Sequence, residues 1–219
     1  MRSSRRAPSI LLVAWLVASL GAIAGGCLAS AAESDPMTAL EHAVIEELNL
    51  ARTQPAVYAQ ILTEFRKSMN GIYVIVDGKR VRTVEGPPAV DEAIAFFRSA
   101  QPLVPFTADA RLSLAARDHA RDLGTSGALA HAGADGSLPE DRIRRYGNPT
   151  SVGEILSTGP SQPRSIVIAF LVDDNVRDRG HRLAIMTPGY HLAGASIQPH
   201  ASRLYTVCVV NFAGGFIAP

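Results

Sequence analysis

Two largely apolar runs close the chain, Tyr190 to Gln198 and Leu204 to Phe212, and the second is rich in β-branched residues. Before them, apolar positions recur mostly at helical spacing. Strands that follow a series of helices, instead of alternating with them, pair with one another and take their cover from the earlier helices. That order argues for a single α+β domain rather than a series of βαβ units.

The helical part reads segment by segment. Leu40, Val44, Ile45, Leu48 and Leu50 lie on one helical face, with Asp35-Pro36 as a start signal. This helix should stop near Thr53, because Gln54 precedes Pro55 and is pushed out of the helical region. A second helix then runs from Pro55 to about Lys67, opened by proline at its first position. Asp77-Gly78, flanked by I-Y-V-I-V and K-R-V-R-T-V, is a hairpin signal. Pro87-Pro88 punctuates, and Val90 to Ser99 is a short amphipathic helix. The strongest helix begins at a cap on Thr107 or Asp109 and should be stopped by Gly124. Ser137 and Glu140 have the spacing of a capping box opening a helix that Gly147 ends. Pro163 to about Asp174 is a further helix, and a short helical turn carrying His181 ends before Pro188.

The first residues read as a leader. Arg2, Arg5 and Arg6 precede an apolar stretch from Ile10 to Ile23, followed by small residues, the pattern of a secretory signal spanning residues 1–31. Cleavage near Ala29 to Ala31 would release the protein. Alternatively, Ala-Gly-Gly-Cys ending at Cys27 resembles a lipobox, which would leave the domain tethered to the membrane through that cysteine. Losing three arginines takes the formal charge from +1 to −2, and a near-neutral domain lacks the basic footprint of a nucleic-acid binder. Only Cys208 remains outside the leader. It has no disulfide partner and sits in an apolar strand, so it reads as a small buried hydrophobe.

Four polar residues stand beside a glycine or in an apolar run: His131 in H-A-G-A-D-G, Glu154 in G-E-I-L, Asp173 in F-L-V-D-D and His181 in R-G-H-R. Imidazole supplies a nitrogen lone pair, and a neighbouring carboxylate orients the ring or polarises water, so such a set suits a divalent metal or acid–base chemistry. His119, within the strongest helix, reads more simply as a packed or surface histidine.

The ordered series L-N-L-A-R-T-Q-P, L-S-L-A-A-R-D-H-A-R-D-L-G, H-A-G-A-D-G, D-R-I-R-R-Y-G, G-E-I-L and D-D-N-V-R-D-R-G-H-R resembles the CAP superfamily of cysteine-rich secretory, antigen 5 and pathogenesis-related proteins, in its secreted bacterial form. The likeness covers Leu40 to Phe212. It implies a three-layer α-β-α sandwich occupying residues 37–215, with a hairpin inserted near the N-terminal third. It also implies a cleft lined by two histidines and two acids. His131 and His181 take the positions of metal ligands for zinc or another divalent cation, and Glu154 and Asp173 those of the acids. Asp173 is shorter than the family glutamate and has a rival in Asp174. Ile155 stands where the family has asparagine, and Phe170 where it has tryptophan.

What the resemblance implies about function is a secreted, extracellular or periplasmic binding protein whose cleft takes a metal and a lipid, sterol or surface partner. The alternative is a metal-assisted hydrolase or peptidase in which Glu154 or Asp173 activates water. Against it, H-E-x-x-H and G-x-S-x-G are absent from the sequence, and two histidines fall short of the three protein ligands usual for catalytic zinc. A third possibility is an adhesion fold in which the four residues only form hydrogen bonds.

Overall fold

The computed structural model describes residues 37–201 and 205–218. The leader, Cys27 and the Asp35-Pro36 signal lie outside these residues. In chain order the elements are α1 (Ala39–Thr53), α2 (Pro55–Lys67), β1 (Tyr73–Val76), β2 (Lys79–Arg82), α3 (Pro87–Ser99), β3 (Thr107–Ala108) and α4 (Ala110–Ser126). There follow α5 (Pro139–Arg144), β4 (Asn148–Pro149), β5 (Val152–Gly159), α6 (Pro163–Val172), α7 (Gly180–Ile185), β6 (Leu192–His200), β7 (Tyr205–Ala213) and β8 (Phe216–Ile217).

The central sheet has the order β3-β6-β7-β5. β7 pairs antiparallel with both β6 and β5, and only the short β3 runs parallel to its neighbour. Residues alternate between the two faces. Leu156, Val207 and Val209 pack with Ala116, Ala120 and Leu123 of α4. Their neighbours Ile155, Cys208, Val210 and Phe212 pack on the opposite face, in the large core built with α1, α2, α3 and α6. The result is the expected α+β sandwich of helix, sheet and helix. Cys208 is a buried core residue, and burial raises its thiol pKa well above the ordinary value.

Several local expectations are corrected. α1 starts on a capping box of its own, in which Glu41 N donates to Thr38 Oγ1 and Thr38 N to Glu41 Oε2. Pro87 opens α3 instead of preceding it. α4 runs through Gly124 and ends at Gly127, which adopts a left-handed φ of 69°. Gly124 serves a close approach instead: a Cβ there would meet Pro199 O at 2.5 Å. The box foreseen at Ser137 and Glu140 is shifted by one residue. Leu138 stands at the N-cap, where its side chain offers no oxygen, and Asp141 reaches back to Leu138 N. Glu140 pairs with Arg144 instead, and α5 ends at Arg144 rather than at Gly147.

The hairpin β1–β2 stands apart from the main sheet as its own two-stranded ribbon. Such a ribbon is marginal alone, and two carboxylates hold it. Asp77, at its turn, accepts from Ser161 N, Gln162 N, Ser161 Oγ and Ser165 Oγ at the start of α6. Asp174, just beyond the end of α6, accepts from Val84 N and Glu85 N. The fully buried Arg52 donates to Val104 O, Ile185 O, Thr187 O and Tyr190 O, tying α1 to the segment that leaves α7. Burial lowers its pKa to about 10, which still leaves it charged at neutral pH.

Candidate functional site

β5 is the edge strand that carries Glu154, and neither periodicity nor turn signals mark it as a strand. Glu154 points to the α4 face, because its neighbour Leu156 on the same face packs with α4. Gly153 leaves room for Tyr190, whose hydroxyl would lie 2.7 Å from a Cβ at that position. α5 and α7 both pack against β5.

The first pair stands on the α4 side. His131 Nδ1 donates to Glu154 Oε1 at 2.9 Å. A carboxylate only accepts, so a ring proton lies on Nδ1, and in the neutral ring Nε2 keeps its lone pair. The Glu154 side chain is 1 % exposed and the His131 side chain 53 %. The buried Arg142 of α5 neutralises Glu154, with Nη2 at 2.8 Å from Oε2, and also donates to His131 O and Ser137 O. His119 packs beside them, 3.8 Å from Glu154 Oε1, and its Nε2 donates to Ala130 O. Burial pushes this imidazole below the ordinary histidine pKa. Its Nδ1 and Arg142 Nε are buried without a hydrogen-bond partner.

The second pair stands on the α6 side. Asp173 caps α6 in the left-handed region at φ 58° and is 2 % exposed. Its carboxylate accepts from His181 Nδ1 at 2.7 Å and from His181 N at 2.9 Å. The His181 ring lies edge-on to Phe170. Two arginines of the R-G-H-R segment hold this corner. Arg182 is buried and donates to Leu171 O, Val172 O and Glu92. Arg179 grips Glu85, Glu92, Asp173 O and Val176 O. Asp174 is committed to the hairpin, so Asp173 is the acid that faces His181.

The four residues therefore come together as two pairs. No group of three or more His, Cys, Asp or Glu side chains among the described residues is arranged to hold a metal ion. Each pair has the carboxylate–imidazole form in which the acid orients the ring, and one imidazole per pair falls short of a closed four-ligand zinc site.

A cleft of about 900 Å³ lies under the hairpin, within the usual range for small-molecule sites. Val74, Val81, Phe65, Leu156 and Ile168 supply apolar walls, and Asp173 and His181 border it. His131 and Glu154 do not, although Leu129, two residues before His131, does. The single hollow lined by all four residues is thus replaced by a cleft bordered by one pair.

Sequence reasoning missed Arg142, which D-R-I-R-R places next to the apolar Ile143, and it underrated His119, whose place on the apolar face of α4 was the available signal. Ile155, in the family's asparagine position, is a core residue at 1 % exposure.

Among solved structures, the chain is similar to an outer surface protein of Borrelia burgdorferi, at 24 % identity and a TM-score of 0.43 over 51 % of this chain and 78 % of that one. It is also similar to an extracellular SCP-domain protein of Bacillus anthracis, at 17 % identity and a TM-score of 0.42 over 55 % of this chain and 37 % of that one. No curated protein matches it. The model of the cysteine-rich secretory protein (CAP) family matches residues 92–212, more than half of the chain and all four paired residues. By that match the chain belongs to the cysteine-rich secretory protein (CAP) family.

Proposed function

We propose that this CAP protein is a secreted or surface-held binding protein whose hairpin-roofed cleft takes an apolar small molecule of the lipid or sterol class. The observation that carries the reading is the cleft itself: about 900 Å³, walled by aliphatic and aromatic side chains, with one histidine–carboxylate pair at its border. Burial of apolar surface supplies the binding energy, at roughly 25 cal/mol per Å², and the polar groups fix orientation. His131 and His181 are the side chains to which a divalent cation such as zinc would bind through Nε2, with water completing its shell.

The test uses residues 34–219, whose core is built from Met37 onward. A fluorescent fatty acid should bind saturably and be displaced by sterol or lipid. Ala169→Trp, which fills the cleft from α6, should abolish that signal without changing the urea midpoint. Absence of saturable binding in the unaltered protein sinks the reading. Zinc calorimetry on His131→Ala and His181→Ala tests the cation separately, and equal affinity in all three proteins removes it.

A second reading, hydrolysis, draws on the Asp173–His181 pair. With Nδ1 held by the carboxylate, Nε2 is oriented as a base at the cleft border. Cleavage of acyl esters or peptides that is lost in His181→Ala and Asp173→Asn, and kept in His131→Ala, would favour it over binding alone.

A further inference from the structure

The register of the hairpin sorts its side chains onto two faces. Tyr73 pairs with Arg82 and Ile75 with Arg80, while Val74 pairs with Val81 and Val76 with Lys79. The Val74–Val81 face turns inward, and Val74 is 3 % exposed. The other face joins Ile75, 61 % exposed, to the exposed Arg80 and Arg82 and to Tyr73, whose ring lies 4.0 Å below the Arg80 guanidinium.

No acid shares that outer face. Asp77, the only acid in the hairpin, is taken up by the start of α6. The carboxylates around the hairpin base are engaged as well: Asp174 by Val84 N and Glu85 N, Glu85 and Glu92 by Arg179, and Asp91 by Arg66. An aliphatic side chain, a tyrosine and two guanidinium groups on one rigidly anchored face match the chemistry of a bilayer interface. Aromatic rings sit there at headgroup level and basic side chains meet anionic lipid.

We propose that the outer face of the β1–β2 hairpin docks the protein on an anionic lipid surface, with Arg80 and Arg82 on the headgroup phosphates and Ile75 and Tyr73 in the interface. Because Ile75 and Arg82 also border the cleft, docking brings the cleft mouth to the bilayer. The proposal does not require the cleft to hold a ligand.

The test is sedimentation of residues 34–219 with vesicles of phosphatidylcholine, with and without phosphatidylglycerol. Pelleting is expected only with phosphatidylglycerol, and it should fall as salt screens the charges. Each basic side chain contributes about fivefold to partitioning, so Arg80→Glu/Arg82→Glu should cost about 25-fold or more. Ile75→Asp should weaken binding less and leave the remainder salt-sensitive. Ala169→Trp should change vesicle binding little, which separates this proposal from the cleft-ligand reading. Urea midpoints confirm that each variant folds.

Three results overturn the proposal. One is pelleting that ignores phosphatidylglycerol, and another is equal binding by the double variant and the unaltered protein. The third is no vesicle binding together with a dimer that Arg80→Glu/Arg82→Glu strengthens; the arginines would then serve only to keep an exposed strand edge from pairing with a second copy.

Discussion

The two histidine–carboxylate pairs share a chemistry and differ in what holds the carboxylate. Glu154 sits on a strand facing α4 and depends on a side-chain cation, the buried Arg142. Asp173 sits at a helix end and depends on the backbone, accepting from His181 N as well as from the ring. The exposure of the imidazoles also differs, 53 % for His131 against 22 % for His181. A buried charge held by another buried charge is the more brittle arrangement, because losing either partner strands the other. A carboxylate held by amide groups keeps some of its donors whatever the side chains do.

The largest effect should follow from Arg142→Met. With its cation gone, Glu154 stays buried and uncompensated, at a cost of about 3–5 kcal/mol in urea unfolding. Adding Glu154→Gln should restore part of that loss. If Arg142→Met costs no more than a surface change, the contrast between the two pairs collapses.

Asp173→Asn should cost less, about 1–3 kcal/mol, because asparagine tolerates the left-handed conformation and retains one acceptor oxygen. Its clearer signature is in the ring: nitrogen NMR of His181 should change from the Nδ1-protonated tautomer to a mixture.

The two sides should also loosen in different pH windows. On the α4 side, burial lowers the His119 pKa from the ordinary 6.5. The unfolded chain then binds the extra proton, so stability declines as pH falls below about 6.5. His119→Gln should flatten that limb. On the α6–α7 side, hydrogen bonds from Arg179, and then from Asn175 N, hold Glu85 down to about 2 from the ordinary 4.5. That contribution is complete above 4.5 and is lost as pH falls through about 2. Arg179→Met should shrink this acid limb, leaving the part that Asn175 N holds, and leave the first in place. Coincident limbs in urea midpoints taken across pH would contradict the division. The smallest effect belongs to His131→Ala, about 0.5–1 kcal/mol, since the ring is half-exposed and Arg142 still holds the other oxygen of Glu154.

The helices were legible because each carries its own periodicity and punctuation. α2 begins at Pro55 and ends at Lys67 as read, and Asp77-Gly78 turns the hairpin. β5 was not legible. V-G-E-I-L-S-T-G mixes a buried carboxylate, glycines and hydroxyls, because one face meets the polar Glu154 cluster and the other meets the core, so neither a period of two nor an apolar run emerges. Gly124 misled for a related reason. A glycine required by a distant strand looks like a helix stop when only its neighbours are in view.

The chain's order of residues alone determined the helical stretches, the hairpin and the two closing strands, because those follow from spacing and local backbone preference, and its resemblance to the CAP superfamily singled out the four polar side chains. Tertiary structure alone decided that the four residues pair two by two across an edge strand, that Asp173 rather than Asp174 faces His181, and that the cleft borders one pair and not the other. Those outcomes depend on Arg142, Arg179 and Arg182 reaching partners far along the chain or on other elements. Such long-range electrostatic choices leave no periodic trace in the sequence.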